Sequence, residues 1–96
     1  MIYVKVHKGL SRVAAFCDEE LLGKTLKDGK VCLVISEYFY GGDKRNKEEA
    51  AEIMKNSENI NLVGKECVEI ALDLKIIDKN SIIYIKGVPH AQAISR

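Results

Sequence analysis

His90 is the side chain in this sequence best suited to chemistry near neutral pH, and it sits in Gly87-Val88-Pro89-His90-Ala91-Gln92. An imidazole with an unperturbed pKa of about 6.5 donates, accepts or carries charge at that pH, and Gln92 adds an amide two residues on. Gly87 permits positive φ, Pro89 holds φ near about −65°, and Val88 is pushed toward extended geometry by the proline after it. The expectation is a stiff turn that aims His90 into a shallow surface pocket, as a binding group or as an acid or base. The competing expectation is a histidine that closes the end of a sheet with one backbone hydrogen bond. If the first holds, His90→Ala leaves the melting temperature nearly unchanged and abolishes binding or activity.

Nucleophilic catalysis would need a thiol or hydroxyl beside that imidazole. Cys17, at a strand end, is the thiol expected to be most accessible, but adjacent Asp18 opposes a thiolate. Cys32 and Cys67 fall within elements and read as small core hydrophobes. His7, His90 and the three cysteines lack the clustered ligand pairs of a metal site, so no metal and no cofactor are expected. Gly23-Lys24-Thr25 resembles the tail of a phosphate-binding loop. Asp18 stands where that loop needs its first glycine, which removes the reading.

Binding chemistry has more support. Tyr38-Phe39-Tyr40-Gly41-Gly42 is either a stacking platform beside a glycine loop, as single-stranded nucleic-acid sites use, or a set of aromatics closing the core. Lys44-Arg45 is a small basic cluster. Asn59, Asn61, Gly64 and Lys65 read as the amino end of a helix, where free amides and the helix dipole favour an anion, or where Asn61 merely caps and Gly64 permits close packing. The candidate surface is therefore Tyr40, Gly41, Gly42, Lys44, Arg45, Asn61, Lys65, His90 and Gln92.

The elements that must position these residues follow from periodicity. Asn61 to Ile77 reads as the longest helix, with Val63, Cys67, Ile70, Ala71, Leu74 and Ile77 on one face and Val68 and Leu72 widening it. So broad a face needs a sheet on one side and a second helix or a partner subunit on the other. Ile2 to His7 alternates as a half-buried strand, and Arg12 to Cys17 returns as its hairpin partner across Lys8 to Ser11. Asp18 opens a short helical turn as its cap. Lys30 to Ile35 reads as a central strand covered on both sides, and Tyr38 to Tyr40 as a strand end. Asn46 with Glu49 caps a surface helix to about Ser57 through Ala50, Ile53 and Met54, and Ser81 to Lys86 is another strand. The resulting fold is α+β in one domain, residues 1–96: a largely antiparallel sheet of about four strands with two C-terminal helices packed on one face.

The chain has 96 residues, 47% of them hydrophobic, with 15 basic and 14 acidic side chains. The balance disfavours nonspecific nucleic-acid binding, so any contact with phosphates must be a local patch. Met1 runs directly into a strand pattern, and no apolar stretch approaches the roughly 20 residues that span a bilayer. With an odd number of widely spaced cysteines, a reducing, cytoplasmic setting is expected.

Four blocks, Cys17 to Thr25, Phe39-Tyr40-Gly41-Gly42, Asn61-Leu62-Val63-Gly64 and Gly87 to Gln92, together resemble a family of small archaeal proteins catalogued as domain of unknown function 424. That resemblance implies an archaeal cytoplasmic protein associated with translation, and no mechanism. The functional expectation is a binding module for RNA or a ribonucleoprotein partner. The alternatives are a small enzyme with His90 as acid or base, and a structural subunit that buries its wide helix face in a homodimer.

Overall fold

The computed structural model describes residues 1–9 and 12–94; Leu10 and Ser11 of the expected turn lie outside them. The alternating segment forms β1 (Ile2–His7), which pairs antiparallel with β2 (Val13–Asp18) as its periodicity predicts. A 3₁₀ turn at Glu19–Leu21 leads into the hairpin β3 (Thr25–Asp28) and β4 (Val31–Val34), then α1 (Glu37–Tyr40) and β5 (Asp43–Arg45). There follow α2 (Lys47–Lys55), β6 (Asn59–Val63), α3 (Lys65–Asp73), a 3₁₀ turn at Lys79–Ser81, β7 (Ile83–Ile85) and β8 (Val88–Ile94).

Six strands form one sheet in the order β5-β1-β2-β6-β8-β7, and β3 and β4 make a separate two-stranded sheet. Within the larger sheet β2 and β6 run parallel, and the other neighbours are antiparallel. The mixed α+β character stands, with more strands than the expected four. The two longer helices do share one face, where Ala50 and Met54 of α2 and Cys67, Val68 and Ala71 of α3 pack on Ile2, Phe16, Ile60 and Leu62. They are not C-terminal, since β7 and β8 follow them.

α2 forms as its sequence dictates: the Asn46 side chain accepts from Glu49 N at 2.8 Å, and the Glu49 carboxylate accepts from Asn46 N at 3.2 Å. It covers one flank of α3, the second cover that the wide apolar face of α3 requires.

Four expectations are corrected. The helix from Asn61 to Ile77 is a strand through Val63 and a helix only from Lys65 to Asp73. Asn59 and Asn61 alternate with buried Ile60 and Leu62, which is strand periodicity, and Gly64 with φ +115° breaks any helical path between the two elements. The apolar run Val31 to Val34 is not central: it sits in the peripheral hairpin, with Val31 52% and Val34 58% exposed. Cys32 is exposed with it rather than in the core. Finally, Gly87 does not begin a terminal turn. Lys86 and Gly87, with φ 54° and 77°, form the tight turn between β7 and β8, and His90 lies inside β8.

On the face opposite the long helices, Ala15, Cys17, Ile35, Tyr40 and Val63 form a second buried cluster. The β3–β4 hairpin contributes Leu26 and Leu33 to it, and α1 contributes Phe39. A Cβ on Gly42 would fall on the Val4 carbonyl, so the chain leaving α1 can pass this close to β1 only with glycine there.

Candidate functional site

β2 and β6 end side by side, Cys17 beside Val63, and the residues just beyond them build a junction. Asp18 was expected to cap the turn that follows it, but it makes no side-chain bond there. It turns inward instead, 2% exposed, and its two oxygens accept from Glu66 N and Cys67 N, each at 3.0 Å. It therefore caps α3 from a different part of the chain, at the positive end of the helix dipole. Gly64 N donates to the Pro89 carbonyl at 2.9 Å, and a Cβ on Gly64 would fall within the Asp18 carboxylate. Three of the four sequence blocks meet here.

The anion position expected at this helix start is thus filled by the chain's own carboxylate. Asn59 and Asn61 are in β6 and take no part in it. Lys65 lines a cleft of about 210 Å³ with Asp18, Glu20, Leu21, Val88 and Pro89. Asp18, Glu20 and Glu66 bring carboxylate atoms within 4.8 Å of one another, but both Asp18 oxygens already hold amides.

Two of these blocks also pair along the sheet, and the fourth joins them through Tyr40. Val63 pairs with His90, Asn61 with Gln92 and Asn59 with Ile94; directly opposed residues share a face. The hairpin packs against Cys17 and Val63 at the Asp18 end of that face, and α1 lies over β1 and β2. On the same face Asn59, Asn61 and His90 are half-buried and Gln92 is exposed, with Ile83 and Ile94 also open to solvent at 55% and 78%. The Tyr40 hydroxyl donates to Asn61 Oδ1. Tyr40, Asn61, His90 and Gln92 are therefore brought together on one sheet face, as neighbours in a polar lane.

Aromatic side chains flank that lane. His7 stacks on Phe39 with centroids 4.6 Å apart and planes 16° off parallel, and its Nε2 donates to the Phe39 carbonyl at 2.7 Å. Lys5 donates to the Tyr38 carbonyl at 2.5 Å, and its Nζ lies 4.8 Å from the Tyr38 ring centroid. Tyr38 is 79% exposed, whereas Tyr40, the aromatic chosen from the sequence, is 3% exposed. The reason is local. As a strand this segment would put residues 38 and 40 on one face. Ser36 caps α1 through Phe39 N at 3.0 Å, and in a helix residues two apart point in nearly opposite directions.

The remaining predicted residues lie apart from His90. Gly41 and Gly42 form the α1–β5 connection. Lys44, on edge strand β5, stands 2.9 Å from Glu19; that hydrogen bond raises the Lys44 pKa and lowers that of Glu19. Arg45 is paired with Asp43 at 3.4 Å and Glu49 at 3.8 Å. A cleft of about 460 Å³ on the helix side is lined by Val6, Arg12, Ile53 and Glu58 among others, not by His90.

The titrating groups separate the chemistries. Cys17, expected to be the accessible thiol, is fully buried. Burial, then Asp18 and Glu20, push its pKa up to about 12, so it remains a thiol and no nucleophile. Burial lowers the His90 pKa, so the folded state favours the neutral ring. Below about pH 6.5 the unfolded chain takes up that proton more readily, and the stability present above this pH is lost as pH falls through the folded value. Urea midpoints measured at about pH 7.5 and about pH 5.5 are expected to differ less in His90→Gln than in the wild type; equal differences would remove His90 from the pH response.

Residues 6–95 match the family described as "Protein of unknown function (DUF424)". The chain belongs to that family. It is similar to a solved structure described as an uncharacterized conserved protein from Methanopyrus kandleri, at 30% identity and TM-score 0.83, over 99% of this chain and 93% of the other. No curated protein matches. Among the described residues, no helix is long and apolar enough to cross a membrane.

Proposed function

We propose that this member of the family is a binding module for single-stranded RNA, bare or within a ribonucleoprotein, working in the cytoplasm beside the translation apparatus. The observation that carries the reading is the half-covered sheet face. Its floor presents amides and an imidazole (Asn59, Asn61, Gln92, His90), and its flank presents the exposed Tyr38 ring with the Lys5 ammonium against it. Amide and imidazole groups hydrogen-bond the edges of unpaired bases, and aromatic rings stack on base faces while a nearby cation meets the backbone. Tyr40, on the same face, supports this arrangement by holding Asn61 through its hydroxyl.

Fluorescence anisotropy with a labelled oligouridylate is the direct test. Tyr38→Ala is expected to weaken binding about tenfold, because stacking of one base is worth about 1–3 kcal/mol. The fold should be unaffected, since the ring is largely in solvent. Wild-type protein that binds no single-stranded RNA at low salt would overturn the reading.

A further inference from the structure

Lys24, Lys27 and Lys30 all lie on or beside the β3–β4 hairpin, and all are exposed. Lys86, in the β7–β8 turn, is fastened to the same end of the hairpin by its backbone N–H, which donates to Asp28 Oδ2 at 3.2 Å. None of these four ammonium groups is in an ion pair among the described residues, in contrast to Lys44, Arg45, Lys47 and Lys55. Asp28 is the single acid between residues 24 and 34. These five side chains carry a net +3 in a chain whose total is +1, so the rest of the molecule is net negative. The layer thus carries a local excess of positive charge.

That layer borders the proposed site. Leu26 and Leu33, its inward pair, pack with Ile35, Tyr40, Val63 and Val88, and His90 follows two residues after Val88 on the same face of β8. Successive residues in a strand are about 3.3 Å apart, so Lys24, just before β3, and Lys27 stand about 10 Å apart along the hairpin and start from its opposite faces. We propose that Lys24, Lys27, Lys30 and Lys86 form the phosphate-contacting track of the RNA site, carrying the backbone past the bases held on the sheet face. The inference rests on the RNA reading above. A protein partner suits the hairpin less well. Its exposed Val31 and Val34 are three residues apart and so project to opposite faces of β4, leaving no single apolar centre for a protein interface.

The test is the salt dependence of oligouridylate binding by the full chain. Each phosphate neutralised on a single strand contributes about −0.7 to the slope of log K against log salt. The variant Lys24→Gln, Lys27→Gln, Lys30→Gln, Lys86→Gln is expected to flatten that slope by about 2 to 3. Tyr38→Ala should weaken binding with the slope unchanged. A triple variant that keeps Lys86, which has positive φ, is expected to flatten it by about 2 and guards against a folding defect at that turn. A variant that folds and binds RNA with the wild-type slope overturns the track and leaves the stacking site intact. Wild-type protein that does not bind oligouridylate overturns both. Lysine-dependent binding of polyglutamate, with the RNA slope unaltered, assigns the hairpin to an acidic protein and likewise overturns the track.

Discussion

Gly64→Ala is expected to destabilise the protein by about 3–5 kcal/mol. Two costs combine. A non-glycine residue held at φ +115° and ψ 156° occupies backbone space that costs about 1–3 kcal/mol. The new Cβ must also displace the Asp18 carboxylate, and overpacking a filled site costs about 1–3 kcal/mol more. Small domains are stable by only about 5–15 kcal/mol in total. For one of this size, 1 kcal/mol moves the melting temperature by about 4–8 °C, so thermal unfolding followed by circular dichroism should shift down by about 15 °C or more. A shift below about 4 °C would mean that β6 can enter α3 by another path.

The second large effect is expected at Asp18. Asp18→Ala removes both acceptors of the Glu66 and Cys67 amides. Loss of a helix cap costs about 0.5–2 kcal/mol, and leaving buried donors unpaired costs about 1–3 kcal/mol each. Urea denaturation should show a loss of about 2–4 kcal/mol. Asp18→Asn keeps one acceptor and turns an NH₂ toward the other amide, so a smaller loss is expected. Hydrogen exchange gives the localisation: protection should fall first at Glu66 and Cys67 and not in β1. The two sites are also coupled. Alanine at 18 removes the atoms that a Gly64 Cβ meets, so the double variant should be less destabilised than the sum of the single ones. Simple additivity would show that Gly64→Ala acts through backbone strain alone.

This junction bears on function because it fixes the site. Gly64 leads out of β6, which carries Asn61, and its amide is bonded to Pro89, the residue before His90. Loss of the junction should therefore loosen the polar lane and, under the function proposed above, weaken RNA binding without any change in the stacking residues.

How much of this was readable depends on the range of the interactions involved. The β1–β2 hairpin follows from alternation and a short connection, and α2 from a capping box whose partners are three positions apart; these determinants are local. Four short blocks are enough to reach the family, and Tyr40, Asn61, His90 and Gln92 follow as candidates from residue type and local context, although Asn61 lies in a strand rather than at a helix start. Their assembly was not readable. Tyr40 and Asn61 are 21 positions apart, and Asp18 reaches amides 48 and 49 positions away. No local period records such pairings. The wide apolar wheel drawn from Asn61 showed which residues avoid water, but Val63 and Leu62 satisfy that demand equally well in a strand beside β2. The apolar run of β4 likewise looked central, yet only its Leu33 side is used, because the interior places of the large sheet are held by β1, β2, β6 and β8. Periodicity determines which side chains seek cover. Only the closing of distant segments on one another decides what covers them, and here that choice both buries the Asp18 cap and leaves half of one sheet face open.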